Sequence, residues 1–152
     1  MTKAMRTMRT ESQRDVVFTP FMLRVRAVLD GEDRRSPLPL REAGMQRVAW
    51  ATDEWFYLRC RSEQVIAEAN AMLAGRTVPL DLTDEAGTGQ LAFTLSWRDR
   101  SSRVSLGRAG RQAWVQLERS YAPSRTPEAP AGPAALEDLI IELLEPLAKE
   151  AA

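Results

Sequence analysis

The chain reads as an α+β domain, a mostly antiparallel sheet of about six to seven strands in the order βββ-α-ββββ-α. Three observations predict it. Short runs of alternating apolar residues recur along the sequence, as in half-buried strands. The segment 62–74 switches to helical spacing, and a second amphipathic stretch closes the chain behind a proline-rich tether. At 152 residues and 44% apolar content, the chain can bury one ordinary core.

Residues 1–14 hold four bases, one acid and few large apolar groups besides methionine, and read as a disordered basic lead-in to an α+β domain over 15–122. From Phe21 the pattern alternates: Phe21, Leu23, Val25, Ala27 and Leu29 on one face, Arg24 and Arg26 on the other, with Pro20 at the strand start. Asp30-Gly31 is a turn signal, and Glu32 to Gly44 reads as a loop. Gln46 to Ala51 and Trp55 to Arg61 read as two further strands, with Val48 and Trp50 toward the core; WFYLRC is the most aromatic stretch of the chain. In Ser62 to Ala74, the residues Val65, Ile66, Ala69, Met72 and Leu73 form one helical stripe. Ser62 is placed to cap that helix, and Gly75 to end it in a left-handed conformation.

Four strands are expected next: Thr77 to Leu82, Gln90 to Trp97, Arg103 to Leu106 and Gln112 to Glu118. In the second, Phe93, Leu95 and Trp97 share the core face. Glycines on both sides of Arg108-Ala109 favour a hairpin, and therefore a strand over 112–119. The i+4 spacing of Ala109, Ala113, Leu117 and Tyr121 keeps a helix there as the alternative. Residues 123–133 hold four prolines and read as a semi-extended linker. Over 134–150 an acidic amphipathic helix carries Leu136, Ile140, Leu143 and Leu147 on one face and packs on the same domain or on a partner. Pro146 kinks or ends it.

The chain is neutral, with 21 bases and 21 acids, but the charge is segregated. Residues 95–127 carry net +5 and residues 128–152 net −5, so the basic third and the acidic tail attract each other. Nineteen of the basic residues are arginine; Lys3 and Lys149 are the only lysines. There is no histidine, which excludes Ser-His-Asp and Cys-His catalysis and histidine-based zinc sites within this chain. A lone cysteine, Cys60, excludes an intramolecular disulfide and fits a reducing, cytoplasmic setting. Alternation places Cys60 with Phe56 and Leu58 as a packed residue. No apolar run is long enough for a membrane span, and the N-terminal stretch lacks the apolar core of a secretory signal, so no membrane association is expected.

Between Trp97 and Trp114 lie five arginines and one acid. Guanidinium forks match carboxylates and phosphates, and an outward indole offers a stacking surface. Arg98, Arg100, Arg103, Arg108, Arg111 and Trp114 are therefore the candidate partner-binding residues; the arginines form two basic tips rather than one box. The acidic loops Asp30–Asp33 and Asp81–Glu85 lack the EF-hand spacing, and 107–110 and 87–89 lack the spacing of a phosphate loop. No catalytic residue, metal or cofactor is expected. The expected function is a non-enzymatic cytosolic interaction domain, such as an adaptor, regulator or immunity-like inhibitor, binding an acidic protein through arginine-rich hairpins. The alternatives are nucleic-acid binding through Arg98–Arg111 and Trp114, or an enzyme using carboxylates alone. A homodimer is compatible with the sequence.

Overall fold

The computed structural model describes residues 17–32, 38–85, 89–132 and 134–151. The proposed lead-in 1–14 lies outside them. The fold is α+β. Its elements are α1 (Pro20–Leu29), β1 (Leu40–Glu42), β2 (Gln46–Arg47), α2 (Val48–Leu73), β3 (Asp81–Asp84), β4 (Ala92–Trp97), β5 (Arg100–Ala109), β6 (Gln112–Arg119), β7 (Glu128–Pro130), α3 (Ala135–Leu143) and α4 (Glu145–Ala151). The strands form one seven-stranded antiparallel sheet, in the order β1-β7-β6-β5-β4-β3, with β2 also paired to β6.

The sheet has one apolar face, set by alternation and register. Phe93 pairs with Val104 and Val104 with Leu117, while Leu106 pairs with Val115. All five are buried in the core, with Leu95, Trp97 and Ala113 on the same face. Helix α2 lies across β5 and β6, and α3 across β5 and β7. Trp55 docks α2: its indole N–H donates to the Val104 carbonyl at 3.0 Å, and its ring meets Phe93 edge-on at 5.6 Å. Helix α1 packs chiefly on α2, α3 and α4 rather than on strands. The opposite face carries Thr83, Thr94, Ser96, Ser101, Arg103, Gln116 and Glu118, and no helix among the described residues covers it.

Three expected strands are helical. The alternation in 21–29 is accidental: Phe21, Val25, Val28 and Leu29 are buried at i, i+4, i+7 and i+8, whereas Leu23 is exposed. Thr19 caps α1 by accepting from the Met22 N–H at 3.1 Å, and Pro20 supplies a helix-compatible φ in the first turn. Of the expected strand Gln46 to Ala51, only Gln46–Arg47 is extended. The aromatic run Trp55 to Arg61 is the middle of a 26-residue helix. There the stripe Ala51, Trp55, Leu58, Ser62, Val65, Ile66, Ala69, Leu73 governs, because strand preference yields to where burial is available. Ser62 is therefore interior to α2, and its hydroxyl donates back to the Leu58 carbonyl instead of capping. Gly75 ends the helical segment at φ 76°.

The four later strands exist with shifted bounds. The strand expected at 77–82 is Asp81–Asp84, and the one expected at 103–106 extends over Arg100–Ala109. Residues 112–119 are a strand. Residues 123–133 are not wholly linker, since β7 pairs with both β1 and β6. The C-terminal helix is two helices broken at Leu144, with Pro146 in the first turn of α4, where its missing N–H costs nothing.

Gly107 and Trp114 pair across β5 and β6 on the uncovered face. The indole lies on the glycine so closely that an added Cβ would sit 2.3 Å from Trp114 Cε2. Gly107→Ala is therefore expected to displace the ring and cost about 1–3 kcal/mol in urea denaturation. The same substitution in a Trp114→Ala background should cost less than about 0.5 kcal/mol, since the three nearest atoms to the added Cβ all belong to that indole. Equal costs in both backgrounds would contradict this packing.

Candidate functional site

The arginine segment is split by the ten-residue strand β5. Arg100 and Arg108 stand eight residues apart, roughly 27 Å at ~3.4 Å per residue, so the two tips share no groove. The tips differ in chemistry as well as position.

At the β4–β5 turn the arginines are occupied within the chain. Arg98 has φ 54°, a left-handed conformation that disfavours a side chain. Its guanidinium donates to Glu150 of α4 at 2.6 Å and stacks over Trp97 at 4.2 Å, contacts that hold it there. Arg100 donates to the Glu142 carbonyl at 2.9 Å and the Leu143 carbonyl at 3.1 Å. These are carbonyls in the last turn of α3, where the helical ladder runs out of donors. Its guanidinium also lies 3.9 Å from the Tyr121 ring centroid. Arg103, on the uncovered face, is bonded to Glu85 and reaches Glu118 at 3.5 Å. Glu85 holds Arg103 protonated above its usual value, and Arg103 holds the Glu85 carboxyl below its own.

At the β5–β6 tip, Arg108 and Arg111 are exposed and make no hydrogen bond or ion pair among the described residues. Trp114, two residues into β6, is half-buried on Gly107, and its N–H donates to Gln116 at 3.0 Å. Trp97, by contrast, is buried on the core face, with its N–H donating to the Val78 carbonyl. A groove of about 550 Å³ opens on the other half of the uncovered face, between the β5–β6 surface and the 120–127 loop, and Arg125 lines it. No ion pair or hydrogen bond holds the Arg125 side chain among the described residues.

In the acidic loops, Asp84 and Asp30 are likewise engaged. Asp84 accepts a two-pronged bond from Arg59 at 2.7 and 2.6 Å, which keeps its carboxyl below the usual range. Asp30 faces Arg76 at 3.5 Å. No group of three His, Cys, Asp or Glu side chains among the described residues is placed to hold a metal ion. Cys60 is exposed on α2 and not packed as alternation implied, because its segment is a helix.

Sequence reasoning missed two features. One is the cluster at Glu142, whose Oε1 accepts from Tyr121 at 2.6 Å and Arg119 at 2.8 Å; Ser102 lies 3.3 Å from the same phenol. Nothing local links these residues, and only the net charges of +5 and −5 hinted at it. The other is the outward face of α2, where Trp50 is exposed instead of facing the core. The i, i+7 spacing of Trp50 and Tyr57 was its available signal. No helix among the described residues is long and apolar enough to cross a membrane. No family model, curated protein or solved structure matches the chain.

Arg100→Ala is expected to lose about 1.5–3 kcal/mol in chemical denaturation, the range for hydrogen bonds to charged groups. Arg108→Ala and Arg111→Ala should each stay within about 0.5 kcal/mol of the parent. Burial, and then the bond to Glu142, push the Tyr121 phenol above its ordinary value. The folded state thus holds this proton more tightly than the unfolded chain. That stability is fully present below about pH 10, the unfolded value, and is lost as pH rises toward the folded one. Melting temperature should fall from pH 9 to 11, and Tyr121→Phe should flatten the fall; an unchanged slope in the variant would contradict the cluster.

Proposed function

We propose that the chain is a non-enzymatic protein-interaction domain of a reducing, cytoplasmic setting. It takes an acidic segment of another protein on the β5–β6 tip and the uncovered sheet face beside it. The observation that carries this reading is the division of the arginines. Arg98, Arg100 and Arg103 are matched within the chain, whereas Arg108 and Arg111 stand exposed beside the half-buried Trp114. Exposed guanidinium groups next to an indole that is already held rigid suit an acidic strand or loop, because little side-chain freedom of the indole is lost on contact. Arg103 is retained as part of this surface, presented with Glu85 and Glu118 as a polar patch rather than a free cation.

A photo-crosslinking residue at exposed Gln112 tests this in the native cell. A discrete protein adduct should form, and it should vanish in Arg108→Glu/Arg111→Glu, whose melting curve stays that of the parent. An adduct indifferent to the charge reversal, or no adduct, would remove the surface from consideration. A low-salt gel shift with single-stranded and duplex DNA or RNA should be negative; salt-sensitive binding lost in the same variant would replace this reading with the nucleic-acid one.

A further inference from the structure

We infer that the outward face of α2 is the two-fold interface of a homodimer, with a second copy of this chain packed antiparallel on it about Tyr57. This stands apart from the acidic-partner surface, which lies on the sheet.

Helix α2 buries one stripe against the sheet and turns the opposite one to solvent. That outward stripe is unusually apolar. Trp50 is 60% exposed, Phe56 48% and Tyr57 63%, and Met45, just before the helix, is 61%. Trp50, Tyr57 and Gln64 succeed one another every two turns and form a nearly straight line along the helix. A fully buried aromatic removes 150–250 Å² from water, so these three leave roughly 350 Å² of aromatic surface open. A standard interface needs about 800 Å² per partner. Trp50 and Tyr57 would supply its apolar centre, with Phe56 at one flank, and Met45, Ala49, Cys60 and Gln64 much of the remainder.

The charges on this stripe point to a second copy as the occupant. A two-fold contact requires a surface complementary to itself after a half-turn. Tyr57 has an acid one turn before it, Asp53, and a base one turn after it, Arg61. An antiparallel copy centred on Tyr57 brings each Asp53 opposite the partner copy's arginine, giving the same ion pair twice. Asp53 is exposed and has no hydrogen-bond or ion-pair partner among the described residues. Arg61 gives one Nη2 bond to Glu137 at 2.7 Å and keeps further N–H groups to donate. The same register sets the Trp50 indole N–H against the amide of Gln64. A parallel copy would set acid on acid and base on base.

Sedimentation equilibrium of the full chain between 1 and 100 μM tests the dimer. The expected mass is twice the 17.0 kDa of the chain. Trp50→Asp and Tyr57→Asp should each return it to one chain with an unchanged circular dichroism spectrum. A parent that stays a single chain at 100 μM, or variants that remain dimeric, would overturn the inference. The register has its own readout, which also serves if the aspartate variants do not fold. Tyr57→Cys in a Cys60→Ser background places a thiol on the two-fold axis and should give a disulfide-linked dimer under mild oxidant. Ala71→Cys in the same background, exposed and about 21 Å along the helix, should stay monomeric on a non-reducing gel. Equal cross-linking of the two, or none at Tyr57→Cys, would overturn the Tyr57-centred arrangement.

Discussion

Glu142 joins the helical layer to the sheet, and the positions of α3 and α4 depend on it. A one-sided antiparallel sheet must have its apolar face covered. Here two short helices share that task with α2, and they meet at a buried corner, Leu143-Leu144. A helix that ends in the core leaves carbonyls without donors. Arg100 donates from β5 to two carbonyls of that last turn, while the Glu142 side chain accepts from Arg119 and Tyr121. Every buried side-chain nitrogen and oxygen among the described residues has a partner, so this corner is fully satisfied. Such a network fixes one arrangement more firmly than apolar packing alone, since a slip strands buried charge.

The charge pattern of the chain follows from that corner. The acidic C-terminal stretch is matched residue by residue: Glu137 by Arg61, Asp138 by Arg24, Glu142 by Arg119 and Glu150 by Arg98. The donors come from α1, α2, β6 and the β4–β5 turn, so both the helical layer and the sheet are tied to α3 or α4. What this neutralisation leaves over is informative. The β5–β6 tip keeps uncompensated arginines, and the outward face of α2 keeps exposed aromatics. These two remainders are far apart in kind, one cationic and one apolar, and they suit different partners.

Much of the second half of the fold was legible in the sequence. Alternation placed Phe93, Leu95 and Trp97 on the core face, and the glycines around Arg108 marked the β5–β6 hairpin. The attraction between the basic third and the acidic tail was readable from charge alone. The first half was not legible. Leu23 and Ala27 happen to continue an apolar alternation, and WFYLRC has strand-forming composition, so local preference pointed to strands. The true signals were longer: a Thr-Pro start before Phe21, and a stripe running from Ala51 to Leu73 that no short window contains. The same error hid the α2 surface, because Trp50 and Tyr57 fall on one line only when their segment is helical. Similarly, Arg98, Arg100 and Arg103 read as free cations because their partners lie in distant parts of the sequence, in α4, at the end of α3 and beside β3.

Native-state hydrogen exchange on Glu142→Ala examines the central constraint directly. In the parent, the amides of α3 and α4 should exchange with those of β5 and β6, in the slowest group. In the variant, the α3 and α4 amides should lose on the order of 10- to 100-fold protection, while β5 and β6 keep theirs. Unchanged protection of α3 and α4 would contradict the claim that this carboxylate holds the helical layer to the sheet.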